Sequence, residues 1–541
     1  MARTRRHPNS RFWSGRRATA RLSDADQLRW RKDPLDDEKA NYPRDRRDRF
    51  HRLRTSDPCR ADAPSELATV TVDAANGLGP LNNPAWFHNQ ADHTELLGAG
   101  DLALVEQLPV RATRVWIKPD KYASYNSSTG NISYTFNYDA ATEGAAGGAY
   151  NYLTQAALYA DVLLLNIDVC PAELMGPDMR SVCAEILRAG LEHYKARFPT
   201  IKYIEVFNEP DKAWVPDGYE RPGTSLDRYY SLYSEIYAIT NDINAASPTI
   251  PLKLGGPSTA HLNGVDNTVT SGTKPPYIPG FLQRFAADTN PAKRLDFVSW
   301  HAYGHRSTPA NAQGEQGTFK GMLQAAGLSV NIPGYVTEYG VFPGDQGTYC
   351  PAKPTICTAD YLTQAAAMAT LGYYYARSGV AMPMQWVFDH PQWERKSMFV
   401  NAADGVPYPY YNLLAMQSML KANRVGTVSN RLSPEGIGVH ALGTQDASGI
   451  AVLTTNYQWT TGSDYYDVSL IVKNLGAAFA GRSIRVERYL VDEFHSNYAT
   501  DPATANLQKL DDYVVGPSGE VTVGFRSRPN GMSLVVLSPV G

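Results

Sequence analysis

Two glutamates stand where a carboxylate has no evident structural use. Glu209 follows an apolar run in "YIEVFNEPD" (Tyr203–Asp211) and is cut off at once by Pro210, while Glu338 closes a similar run in "VTEYG". Two carboxyl groups that meet in one cleft can divide labour. One holds a proton for a leaving oxygen, and the other stays ionised to attack the carbon that oxygen leaves. The acid of such a pair is expected to have a raised pKa, through partial burial and the negative charge of its partner. Once the partner becomes an ester, that repulsion vanishes and the first group can act as a base toward water.

Placing two residues so far apart in sequence in one cleft is the task of the surrounding elements. From about residue 66, short runs rich in Val, Ile and Leu alternate with longer segments of helical period, the rhythm of a βα protein. The runs predict strands at 67–74, 112–117, 161–168, 202–208, 252–257, 295–303, 334–340 and 382–389, and eight is the number that closes a (β/α)8 TIM barrel. Helices are predicted between them, including 179–198, 226–246 and 358–379; in the first, Val182, Ile186, Leu187 and Leu191 share one face. Beyond 420 the strands continue without helices, alternating and joined by Gly, Asn, Asp and Pro turns, which predicts a C-terminal antiparallel β-sandwich. The expected organisation is therefore an α/β chain with an Arg-rich disordered N-terminal arm (1–65), a barrel (66–420) and a β-sandwich domain (421–541).

In a βα barrel the loops at the C-terminal ends of the strands carry the chemistry. Glu209 then closes the fourth strand and Glu338 the seventh, nearly opposite each other. A carboxylate pair about 5–5.5 Å apart suits glycoside hydrolysis with retention of configuration, one group protonating the leaving oxygen and the other attacking the anomeric carbon. With these positions the sequence resembles the clan A glycoside hydrolases, over roughly residues 66–541. Within that clan "NEPD", "DFVSWHAYG", "TEYG" and the terminal "MSLVVLSP" resemble glycoside hydrolase family 39, which includes β-xylosidases and α-L-iduronidases. That family more often shows Thr-Glu-Trp where this chain has Thr337-Glu338-Tyr339.

The resemblance implies Glu209 as general acid/base and Glu338 as nucleophile, with no metal or organic cofactor. It also assigns neighbours. Asn208 would donate its amide to a sugar 2-hydroxyl, a contact that strengthens in the transition state. His301 and Tyr303, two residues apart on the sixth strand, would face the cleft and bond the nucleophile. Trp386 and Asp389, with His390 and Trp393 beyond, would form a stacking floor and polar ligands for a sugar. Trp116, Lys118, Asn166 and Asp168 would reach further subsites.

Composition narrows the classes. Of 541 residues 43% are hydrophobic and 19% charged, and the net charge of -3 calls for no polyanionic partner, so neither nucleic acid nor membrane is expected. Tyrosine is abundant, at 33 residues, with 9 Trp, which favours stacking of flat amphipathic ligands. No apolar stretch approaches a membrane span. The five cysteines show no metal spacing; Cys350 and Cys357 bracket "CPAKPTIC" as a candidate loop disulfide, and Cys170 with Cys183 is a second. The basic N-terminal segment contains neither a secretory nor a twin-arginine signal, and three readings stay open: a disordered arm, a transit-like segment, or upstream sequence attached to the true start. A polysaccharide-acting protein is expected outside the cytoplasm, and the missing signal argues the other way. The expected substrate is an oligosaccharide or polysaccharide, cleaved in the exo mode of a β-xylosidase. An endo-acting clan A hydrolase and a non-catalytic carbohydrate-binding barrel are the alternatives.

Overall fold

The computed structural model describes residues 65–90, 96–139, 151–168, 170, 181–212, 225–249, 251–341, 360–390, 396–459 and 464–540. Two sheets organise them. A closed parallel barrel is built from β2 (Phe87–Asn89), β3 (Ala112–Ile117), β6 (Val162–Ile167), β7 (Ile201–Val206), β8 (Lys253–Thr259), β9 (Phe297–Ala302), β10 (Gly334–Tyr339) and β11 (Met382–Gln385). A small hairpin, β4 (Ala123–Asn126) with β5 (Asn131–Tyr134), follows the second barrel strand. The second large sheet holds β1 (Ser65–Pro80), β12 (Asn423–Ser429), β13 (Gly438–Asp446), β14 (Gly449–Tyr457), β15 (Tyr465–Lys473), β16 (Ser483–Val491), β17 (Gln508–Val515), β18 (Glu520–Ser527) and β19 (Met532–Val540).

One strand changes sheets relative to the sequence reading. The run at 67–74, expected as the first barrel strand and hence within a barrel of 66–420, lies in the second sheet between β12 and β15. Its composition explains this. Ala68, Val70, Val72 and Ala74 are buried and the residues between them are not, the alternation of a strand with one covered face. Barrel strands β3, β9 and β10 are instead buried at all six positions. The three-residue β2 takes the vacant place, too short and polar to read as a strand, so β7 and β10 remain fourth and seventh.

The barrel interior is filled near its base by Phe87, Ala112, Leu164, Phe297, Tyr335, Met382 and Met384, an apolar plug beneath the polar residues described below. Outside run α1 (Ala99–Val105), α2 (Tyr152–Tyr159), α3 (Ser181–Arg197), α4 (Leu226–Ala246), α5 (Tyr277–Ala287), α6 (Glu315–Ala325), α7 (Tyr361–Ser378) and α8 (Pro409–Ser418). Helix α7 starts at Asp360, whose carboxylate accepts from Thr363 N at 2.6 Å, and ends at Gly379 in the left-handed region at φ 82°. It is buried from Leu362 to Ala376, because barrel and second sheet cover opposite sides of it.

The second sheet has a core of its own, in which Val70, Val72, Val468 and Leu470 meet Ile484, Val486, Val535 and Leu537 from the other half of the sheet. The sheet therefore folds over itself as a sandwich does. Its pairs are antiparallel except β1 with β15. It is tied to the barrel by polar contacts as well: Asn530 Nδ2 donates to Thr363 Oγ1 at 2.9 Å, and Tyr457 donates to the Arg306 carbonyl at 2.6 Å. Cys170 and Cys183 form a disulfide. Cys350, Cys357 and the N-terminal arm lie outside the described residues.

Candidate active site

Both glutamates reach the barrel mouth through local departures from regular backbone. After β7 the chain turns with Phe207 at φ 64° and Glu209 at φ 50°, and Ser258 on β8 stands at φ 54°. Left-handed backbone is costly for residues with a Cβ and persists where the surroundings enforce it. Here Glu209 N donates to the Ser258 carbonyl at 2.8 Å, locking the two turns together.

Glu338 depends on a bulge. Tyr335, which faces the interior, pairs with Ser299, and Val336 pairs with Trp300, but His301 then pairs with Glu338, so Thr337 is an extra residue. Strict alternation from Tyr335 would turn Glu338 outward; the inserted residue turns it in.

Arg114, in the middle of β3 and 0% exposed, is the hub. Its Nε donates to Glu205 Oε2 at 2.6 Å, its Nη1 to Glu338 Oε1 at 2.5 Å, and its Nη2 to Asn208 Oδ1 at 2.7 Å and Ser258 Oγ at 3.1 Å. Burial pushes the Glu205 carboxyl up, but the Arg114 charge first, then His301 and the Ser299 and Thr337 hydroxyls, together outweigh it and hold the group below the usual range. Glu338 accepts a second bond from the Tyr303 hydroxyl at 2.7 Å, so two donors converge on it, as a group that only accepts requires. Burial, then the Glu338 charge, pushes the Tyr303 phenol well up, leaving it a firm donor.

Glu209 has different neighbours. Its Oε1 lies 3.0 Å from His301 Nδ1 and its Oε2 lies 2.5 Å from Lys212 Nζ. In a neutral imidazole with Nδ1–H donating to Glu209, Nε2 accepts from the Ser258 hydroxyl, 2.9 Å away, whose oxygen in turn accepts from Arg114. The two glutamates, linked through His301, offer one oxygen each within 4.8 Å of each other and of a His301 nitrogen. A cation could bridge that spacing, but the two carboxylates already have Arg114 and Lys212 as their cations.

The expected raised pKa at Glu209 is reversed. Burial pushes its carboxyl up, as anticipated, but Lys212 and the His301 bond together outweigh burial and hold it well below the carboxylate range. Lys212 follows three residues later, beyond Pro210, and was not among the residues expected to matter. His301 also differs from expectation: its hydrogen bond goes to Glu209, and Glu338 Oε2 is further off at 3.4 Å.

The remaining expected residues divide. Asn208 stands beside Arg114, which takes its oxygen and leaves its amide as the donor. Trp116 lies under the Arg114 guanidinium at 4.7 Å and meets the edge of Trp386 at 5.2 Å. The Trp386 indole N–H has no partner among the described residues. Asp389 lies near enough to α1 for its charge to act on Asp101, which burial first, and then the Asp404 and Asp389 carboxylates, push up to about 6. Asn166 proves to be a support, donating to Glu205 at 2.8 Å and to the Phe207 carbonyl at 2.7 Å. The His390 ring lies 6.1 Å from Trp386, and Trp393 is outside the described residues.

Arg114, Glu205, Ser258 and Lys212 were not singled out from the sequence. Arg114 and Glu205 do carry a signal. A charge at a buried strand position must find a partner, and Arg114 in "ATRVWI" and Glu205 in "IKYIEV" supply opposite signs.

No protein-family model matches the chain, and no curated protein matches its sequence. Its fold, barrel and second sheet together, is similar to that of solved glycoside hydrolases. A glucosidase from Croceicoccus marinus is 17% identical with a TM-score of 0.62, over 88% of this chain and 100% of that one. The GH39 enzyme from Xanthomonas axonopodis pv. citri is 16% identical with a TM-score of 0.62, over 89% and 99%. A monomeric beta-xylosidase from Caulobacter crescentus CB15 is 14% identical with a TM-score of 0.60, over 87% and 100%.

Proposed function

We propose that this chain is a retaining O-glycoside hydrolase acting on oligosaccharide or polysaccharide, with Glu209 as acid/base and Glu338 as nucleophile. The observation that carries the reading is the pair itself. Oxygens of the two glutamates lie within 4.8 Å at the ends of the fourth and seventh barrel strands, each held by its own set of donors. Inverting enzymes need about 6.5–9.5 Å between carboxyl groups to admit a water, so the closer spacing favours direct attack.

In the first step a Glu338 oxygen bonds to the anomeric carbon while that carbon's bond to the leaving oxygen breaks and Glu209 gives the leaving oxygen its proton. Arg114 and Tyr303 orient the attacking carboxylate. In the second, Glu209 takes a proton from water, the water oxygen bonds to the anomeric carbon, and Glu338 departs as carboxylate. Asn208 donates to the sugar 2-hydroxyl, and Trp116 with Trp386 supplies the apolar wall. The glucosidase and beta-xylosidase among the similar structures support an exo-acting enzyme releasing single sugars.

The test is a panel of aryl glycosides (β-xyloside, α-L-arabinoside, β-glucoside, α-L-iduronide and β-galactoside) with the full chain and with Glu209→Ala. Turnover of one glycoside, with azide rescue of the variant giving a glycosyl azide of retained configuration, is expected. An inverted product would overturn the mechanism. A folded protein silent on the panel and on xylo-oligosaccharides would leave only sugar binding, and internal cleavage of a long oligosaccharide would replace exo by endo action.

A further inference from the structure

The ion pair between Glu209 and Lys212 conflicts with the first chemical step. A general acid must carry a proton, yet Lys212 Nζ lies 2.5 Å from Glu209 Oε2, an arrangement that favours the carboxylate. Two features say how the conflict is resolved. Glu209 divides its oxygens: Oε1 faces His301, which also lies 3.4 Å from Glu338 Oε2, and Oε2 faces Lys212. Because Glu209 is the group that must reach the leaving oxygen, a cation bound to its carboxylate is a close neighbour of the leaving group. The Lys212 side chain is 34% exposed and that of Glu209 is 16% exposed, so among the described residues neither is fully sealed from solvent.

We propose that Lys212 is a specificity residue that recognises an anionic group, a carboxylate or a sulfate, on the leaving-group side of the scissile bond. Drawn to that group, the ammonium leaves Oε2, and Glu209 becomes able to take up the proton it must deliver. The substrate class is an acidic glycan with its negative charge next to the bond that is cut. This rests on the glycosidase reading above.

The other charges around Glu209 do not provide the same release. Asp211, on the same loop, is already bound by Ala260 N at 2.9 Å, and burial pushes it up to about 6, so it is a poor second anion for Lys212. His301 from β9 is fixed between Glu209 and Ser258. Glu338 from β10 is taken by Arg114 and Tyr303. His261, after β8, senses the Glu209 charge but is itself pushed down, first by burial. Among the described residues Glu209 is the ion-pair partner of Lys212, so an anion from outside is what replaces it.

The experiment compares phenyl, 3-carboxyphenyl and 3-sulfonatophenyl glycosides of whichever sugar the full-length protein turns over, with Lys212→Met and Lys212→Arg alongside. The expected wild-type preference for an anionic leaving group over phenyl is about tenfold or more in kcat/KM, the scale of one charge-assisted bond. Lys212→Met should bring the substrates to parity and move the alkaline limb of kcat/KM for the phenyl glycoside to higher pH, while Lys212→Arg restores the preference. The carboxyl and sulfonate arms separate a uronate reader from a sulfate reader. Equal use of the three substrates by the wild type, or a preference that survives in Lys212→Met, overturns the proposal while leaving the glycosidase reading intact. Failure of the wild type on every glycoside overturns both.

Discussion

At the scale of single residues, the site is an exercise in neutralising buried charge. Arg114 serves two glutamates, and its removal strands both in a dry environment. Arg114→Met is expected to lose about 3–5 kcal/mol of stability, the usual cost of breaking a buried pair. The double change Arg114→Met with Glu205→Met should recover part of that loss, and urea unfolding of the four proteins of the cycle reads the difference. A double variant no more stable than Arg114→Met alone would place the cost elsewhere. Glu338→Gln keeps the shape and one acceptor, so its far-UV circular dichroism should match the parent, while turnover of the best glycoside falls by about 10³-fold or more. Activity that survives in this variant would remove Glu338 from its proposed role.

At the scale of elements, the first barrel strand carries a pH liability. His88 on β2 is fully buried, donates Nε2–H to the Ala85 carbonyl at 2.8 Å, and stacks on Phe388 at 4.7 Å. Burial pushes its imidazole down from 6.5 to about 4. The folded chain thus binds fewer protons there than the unfolded one. Stability from this site is complete above pH 6.5 and is lost as pH falls toward 4, by an amount on the order of 3 kcal/mol. His88→Gln should flatten the fall of the melting temperature across that window; an unchanged pH profile would show that His88 does not set it. The disulfide acts on another element. Cys170 and Cys183 are 13 residues apart, and replacing both with alanine is expected to cost about 3 kcal/mol by the loop-entropy scale, read by thermal unfolding with and without reductant.

At the scale of the whole molecule, the chain begins its described course in one sheet, builds the barrel, and returns to complete the first sheet. β1 lies inside that sheet, paired on one edge with β12 and on the other with β15. Deleting residues 1–80 should therefore expose two unpaired strand edges and yield an insoluble or unfolded protein, although every barrel strand is retained. A soluble, cooperatively melting product of that deletion would show the barrel to be independent of the second sheet. The same continuity makes α7 buried on both sides, so barrel and sheet are expected to unfold in one transition by calorimetry.

Much of this is legible in the sequence. Continuous apolar runs reveal strands buried on both faces, alternating runs reveal a one-sided sheet, and the glutamates that end two of the former mark the mouth of a barrel. Those features are local, set by burial and periodicity within a few residues. The assignment of β1 was also written locally, in the alternation of "ATVTVDA", but its position just before the other strands suggested the barrel, and sheet membership depends on partners over 300 positions away. The inward turn of Glu338 needed a bulge that pairing alone reveals. The joining of Arg114 to Glu205 and Glu338, and the low pKa of Glu209 beside Lys212, are properties of distances, because the energy of a charge depends on what lies within a few ångströms of it. Residue types determined which chemistry was available to this chain, and only the tertiary structure decided which charges meet.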